Sequence, residues 1–89
     1  MMKDEFGLIV KSLAGRDCNQ FYVLIDTDER YVYLVDGKSR TLDKPKKKNR
    51  KHVQFTKTRI FDNEYTKDMY THVTNEFIKR KLKEYRKDM

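Results

Sequence analysis

The side chains with chemistry to offer in this sequence are cations. Six of the eight residues from 44 to 51 are Lys or Arg: Lys44, Lys46, Lys47, Lys48, Arg50 and Lys51. Such a run repels itself and gains nothing from burial. Its natural use is to meet a polyanion, because each Lys or Arg that neutralises a phosphate releases a condensed counterion. The plainer alternative is a solvated loop with no partner. Against that alternative, the run stands between an Asp36-Gly37 turn signal and the apolar Val53-Gln54-Phe55, not on a tail. Four more cations, Lys11, Arg16, Lys38 and Arg40, fall at strand ends or in turns. Arg16 and Arg40 can each fork two N–H donors onto phosphate oxygens, whereas lysines act as mobile point charges. Asn49 and His52 add neutral groups suited to a ribose hydroxyl or a base edge. Asp17 and Asp36 would repel phosphate, so their expected task is to orient Arg16 or Arg40, or to bond loop amides. For Arg16-Asp17 the competing reading is a plain turn with a surface ion pair.

No other constellation points to catalysis or a metal. His52 and His72 stand in unlike contexts, and Cys18 has no neighbouring partner in sequence. A lone cysteine of this kind is an ordinary loop or core residue far more often than a nucleophile. Asp26, Asp28 and Glu29 lack the spacing and the downstream bidentate Glu of a calcium loop. No glycine-rich phosphate loop is present. The expectation is a protein that is not an enzyme and carries no cofactor and no metal.

Size and charge agree with a binding role. Eighty-nine residues suit one small domain. The chain is 39% charged and only 37% hydrophobic, yet six Tyr and five Phe set it apart from a disordered polyelectrolyte. A net charge of +7 points to nucleic acid or an anionic membrane surface. No apolar run approaches the roughly 18 to 20 residues that span a bilayer, and the start shows no signal-peptide pattern. One cysteine excludes an internal disulfide. A cytoplasmic protein is expected.

The elements that must position these cations are mostly strands. Residues 8–12, 21–25 and 31–35 read as three strands rich in β-branched and aromatic residues. Asp36-Gly37 allows a tight turn, after which residues 39–42 are expected to return as a short fourth strand and residues 52–55 as a fifth. Strands two and three are apolar on both faces. One face suits the interior of a small barrel, and the other needs a cover. The tail offers one: Phe77, Ile78, Leu82 and Tyr85 share one face of a helix over about residues 75–86, with Thr74 or Asn75 to cap it. A weaker helical turn is expected over residues 64–73. The domain reading is a barrel over residues 1–57 carrying a basic loop at 44–51, and a helical extension over residues 58–89 packed on it.

These residues together resemble a family. Residues 7–17 (Gly-Leu-Ile-Val-Lys-Ser-Leu-Ala-Gly-Arg-Asp), 21–25, 31–37, Arg40 and 45–52 (Pro-Lys-Lys-Lys-Asn-Arg-Lys-His) are similar to the bacterial KOW-domain RNA-binding proteins. Those in turn resemble a KOW-type large-subunit ribosomal protein of archaea and eukaryotes. The likeness spans about residues 6–56. It is carried by the Ser12, Ala14 to Asp17 pattern and the Lys47 to His52 pattern. One departure is the absence of a second glycine at residues 17–20. The resemblance implies an SH3-like five-stranded barrel, ribosomal RNA and ribosomal proteins as partners, and Ser12 among the RNA contacts.

The expected protein is thus mainly β, binds RNA through a mobile basic loop, is a monomer when free, and has no membrane partner. The alternative is a protein-binding SH3-like module of the transcription or translation machinery. It would be marked by an exposed apolar patch away from the lysines. Membrane-surface binding would need the C-terminal helix to be free. If the helix is instead a lid, Phe77 is expected to be its buried anchor.

Overall fold

Five strands form one antiparallel sheet in the order β4-β3-β2-β1-β5. The strands are β1 (Leu8–Ser12), β2 (Phe21–Thr27), β3 (Tyr31–Val35), β4 (Lys46–Asn49) and β5 (Val53–Arg59). A 3-10 turn (Arg50–His52) joins β4 to β5, and a single helix, α1 (Asn75–Lys87), ends the described chain. The structure is a computed structural model and describes residues 5–60 and 73–88. The helical turn expected over 64–73 therefore lies outside the described residues, apart from Val73.

The pleat sorts the apolar residues of the inner strands into two cores. Ile9, Val23 and Val35 stand in register across β1, β2 and β3 and join Phe6, Ile60, Ile78 and Leu82. Their neighbours along the chain, Val10, Tyr22, Leu24, Val32 and Leu34, point the other way and gather with Val53. Strand side chains alternate between faces, so strands that are apolar throughout must be covered on both. Helix α1 covers the first core with Ile78 and Leu82, and the second lies on the opposite face of the sheet. The edge strands β4 and β5 share no ladder, but one turn links them. Arg50 N donates to Arg30 O at 2.8 Å, and two residues later His52 O accepts from Leu13 N at 2.8 Å. The sheet is therefore curled enough to bring opposite ends of its strands within three residues.

Helix α1 begins where the sequence offers a cap. Thr74 Oγ1 accepts from Phe77 N at 3.1 Å, while Asn75 Oδ1 turns away and accepts from Leu42 N at 2.8 Å. Ile78 and Leu82 are buried to 0% and 1% exposure, and Phe77 and Tyr85 pack half-buried at the rim. The anchor of the helix is thus Ile78 with Leu82, not Phe77. A side chain at position 78 or 82 points straight at the sheet, and 77 lies about 100° round the helix. Losing a cap costs about 1 kcal/mol, so Thr74→Ala is expected to lower the melting temperature by about 4 to 8 °C. A thermal melt checks this.

Three expectations about the strands are corrected. Residues 39–42 are not a strand, because the Asp36 side chain captures the turn. Its Oδ1 accepts from both Lys38 N and Arg40 N at 2.8 Å, which bends the chain where a ladder would begin. The fourth strand lies instead inside the basic run. Lys46, Lys47, Lys48 and Asn49 pair with Leu34, Tyr33, Val32 and Tyr31, so residues 44–51 are not a free loop. Strand β5 runs over Val53–Arg59, four residues past the end expected at residue 55.

Candidate nucleic-acid interface

The strand β4 resolves its self-repulsion by alternation. Lys46 and Lys48 point to one face and Lys47 to the other, and each face supplies something for a cation. Lys47 Nζ sits 4.2 Å from the centroid of the Tyr31 ring, a favourable placement over the electron-rich face. Lys46 and Lys48 converge on one carboxylate: Lys46 Nζ is 3.1 Å from Asp17 Oδ2, and Lys48 Nζ is 3.0 Å from Asp17 Oδ1. Lys48 also donates to Ala14 O at 2.9 Å, and its side chain is only 11% exposed. As an edge strand, four residues of Lys-Lys-Lys-Asn also discourage pairing with another chain.

Asp17 is the node of this end of the fold. Besides the two lysines, it accepts from Ser12 Oγ at 2.9 Å and from Tyr22 OH at 3.0 Å. Burial would raise the Asp17 carboxyl, but the hydrogen bonds from Lys48, Ser12, Lys46 and Tyr22 outweigh it. They hold the group well below the usual carboxylate range. Burial, reinforced by the bond to Asp17, pushes the Tyr22 phenol above its ordinary value. Asp17 therefore does not orient Arg16 or Arg40. It fastens the loop of residues 13–20 to β1, β2 and β4 at once. The loop itself takes two left-handed residues, Gly15 at φ 86° and Asn19 at φ 73°. Asparagine tolerates that region better than most residues.

The candidate contacts accordingly divide. Ser12 is fully buried against Asp17, which withdraws it from any RNA. Arg50 forks onto Glu5, with Nη2 to Oε2 at 2.7 Å and Nη1 to Oε1 at 3.3 Å, and lies 5.1 Å from the Phe55 ring centroid. Asn49 Oδ1 accepts from Lys51 N and caps the 3-10 turn. Lys46 and Lys48 are committed to Asp17. Arg16, Lys38, Arg40, Lys44, Lys51 and His52 remain exposed, Lys11 is half-exposed, and none of these forms an ion pair among the described residues.

The antiparallel register also decides what lies beside what. The end of β1, the start of β2, the end of β3 and the start of β4 share one end of the sheet. The loops carrying Arg16 and carrying Lys38, Arg40 and Lys44 therefore sit together there. Six cations, counting Lys46 and Lys48, face three carboxylates at this end. Each carboxylate is turned to a partner in the protein: Asp17 to the lysines, Asp36 to turn amides, and Asp43 to the Thr41 hydroxyl.

Sequence reasoning missed Asp17, Glu5 and Tyr31 as partners of the basic run, and Tyr22 as a partner of Asp17. The one signal for Asp17 was an acid standing alone amid excess positive charge. Its lysine partners lie about thirty residues away, beyond any local pattern. Among the described residues, no group of His, Cys, Asp and Glu has the arrangement of a metal site. Asp28, one of the acids weighed for calcium, is occupied in its own turn, accepting from Arg30 N, Tyr31 N and the Tyr33 hydroxyl. No helix among the described residues is long and apolar enough to cross a membrane. No protein-family model and no curated protein matches this chain.

Proposed function

We propose that this chain is an RNA-binding domain, an SH3-like barrel of the KOW type that associates with the ribosome through ribosomal RNA. The observation that carries the reading is the Asp17 clamp. By tying the 13–20 loop to β4, it holds Arg16 beside the cations of the 36–45 connection, and a small domain gains little from such a concentration unless an anion meets it. Phosphate contacts by Arg16, Lys38, Arg40, Lys44 and Lys51 supply affinity, and the rigid sheet end supplies position. Two lysines on one carboxylate leave one net positive charge there, so Lys46 and Lys48 contribute to the field without leaving their partner.

Binding of a structured RNA, followed by anisotropy across salt concentrations, tests this. Four or five neutralised duplex phosphates give a log–log slope of about −4. The triple variant Arg16→Ala, Arg40→Ala, Lys44→Ala is expected to flatten it by about 2.7 while the melting temperature holds. A wild-type slope near zero contradicts the reading.

The protein-binding alternative needs an exposed apolar patch. Among the described residues, the large exposed hydrophobic is Leu13, at 46%, and one side chain is not a patch. The membrane-surface alternative needs a free helix, whereas the apolar face of α1 is occupied by the sheet.

A further inference from the structure

The basic surface extends onto α1, where the helix passes the 36–40 turn. A groove of about 260 Å³ opens there, and its walls carry Lys38 from the turn and Lys79 and Arg86 from the helix. Cations from two elements distant in sequence thus converge on one concavity. Lys79 and Arg86 are seven residues apart, two turns on one side of the helix, and stand about 10 Å apart along its axis.

Little inside the protein competes for them. Lys79 has one acid, Glu76, at 3.4 Å on its own helix, and the two side chains are 47% and 83% exposed. Exposed pairs of this kind contribute little and exchange readily. Lys38 and Arg86 form no ion pair among the described residues. One carboxylate, Asp36, lines the groove, and its Oδ1 is engaged by the amides of Lys38 and Arg40. Gln20 and Ser39 add neutral hydrogen-bonding groups, and half-buried Phe21 adds an aromatic wall.

We propose that this groove seats a single strand of RNA, its phosphodiesters on Lys38, Lys79 and Arg86 and a base against Phe21. The inference rests on the RNA-binding reading and extends it. Lys38 and Ser39 belong to the same turn as Arg40, so the groove continues the basic end of the sheet onto the helix. A strand is favoured over one free anion because the cations span more than one phosphate, and aromatic walls beside basic grooves are how proteins hold unpaired bases.

The test compares two variants of equal charge loss. One is Lys79→Gln, Arg86→Gln. The other, Arg30→Gln, Lys57→Gln, changes exposed cations that do not line the groove. With a twelve-nucleotide oligouridine, the groove variant is expected to bind at least about tenfold more weakly than the second variant. Its salt slope should be shallower by about 1.4, at roughly 0.7 per single-strand phosphate. Equal losses in the two variants overturn the groove while leaving RNA binding in place, and a wild type that binds no RNA overturns both. Amide shifts in the intact protein give a readout independent of the variants. Oligouridine should move the signals of residues 38, 39, 79 and 86. Shifts of the same size from inorganic phosphate alone would overturn the strand in favour of a simple anion site.

Discussion

Replacing Asp17 with alanine is expected to cost about 3 to 5 kcal/mol, the range for removing one partner of a buried pair. A domain of this size has a total of about 5 kcal/mol to lose. The substitution strands Lys48, whose side chain is 11% exposed, and leaves the Ser12 and Tyr22 hydroxyls without their shared acceptor. Lys48→Met should cost clearly less, because Asp17 then keeps Lys46, Ser12 and Tyr22. Denaturant titration of both variants decides the point, and equal losses would mean that Asp17 is not the node. A pH dependence follows from the same contacts. An acid whose pKa falls on folding stabilises the fold fully above its unfolded value, 3.8 for Asp17. It loses that contribution as the pH drops further towards the folded value. Wild-type stability should therefore decline below about pH 4, and Asp17→Asn should show a shallower decline from a lower starting point.

The difference between what the sequence revealed and what it hid follows the range of the interactions involved. Strands β1 and β3 were legible to the residue, and β2 to within two at its far end, because β-branched and aromatic runs bounded by turn formers are local signals. The apolar faces of β2 and β3 rightly implied cores on both sides of the sheet. The helix was legible from the spacing of Ile78, Leu82 and Tyr85, although which apolar residue enters deepest depends on the rotation of the helix against the sheet. The basic run was misread because its counter-charges, Asp17 and Glu5, are far away in sequence. Viewed alone, six cations in eight residues predict a repelled, mobile loop. With Asp17 beneath Lys46 and Lys48, and Tyr31 beneath Lys47, the same residues make an edge strand. The candidate site was legible in its charge and illegible in its geometry. Composition raised the expectation of an anionic partner, but only the pairings separate exposed Arg16 and Arg40 from committed Lys48 and Arg50.

Gly37→Ala is expected to undock α1. The position is left-handed, at φ 79°, which costs alanine about 1 kcal/mol or somewhat more. The larger effect is contact. A Cβ at residue 37 would lie 2.3 Å from Asn75 O and 3.0 Å from Lys79 N, both backbone atoms of the first helical turns. Backbone cannot rotate aside as a side chain can, so either the 36–40 turn or the helix must move. The turn is held by two bonds to Asp36 Oδ1, and the helix start by Asn75 to Leu42 N. Moving the helix exposes Ile78 and Leu82, at about 1.5 to 3 kcal/mol for each side chain. The sum is comparable with the whole stability of the domain. Gly37→Asn separates the two causes, because asparagine accepts left-handed backbone but carries the same Cβ. If contact dominates, both variants unfold at similarly lowered temperatures and lose protection of the α1 amides in hydrogen exchange. If backbone strain dominates, asparagine restores most of the stability. Gly15 provides the comparison within the same molecule. It is left-handed at φ 86°, and a Cβ there meets nothing closer than 3.6 Å. Gly15→Asn should therefore be nearly silent in the same melts, and an equally damaging Gly15→Asn would show that contact with the helix is not what makes Gly37 special.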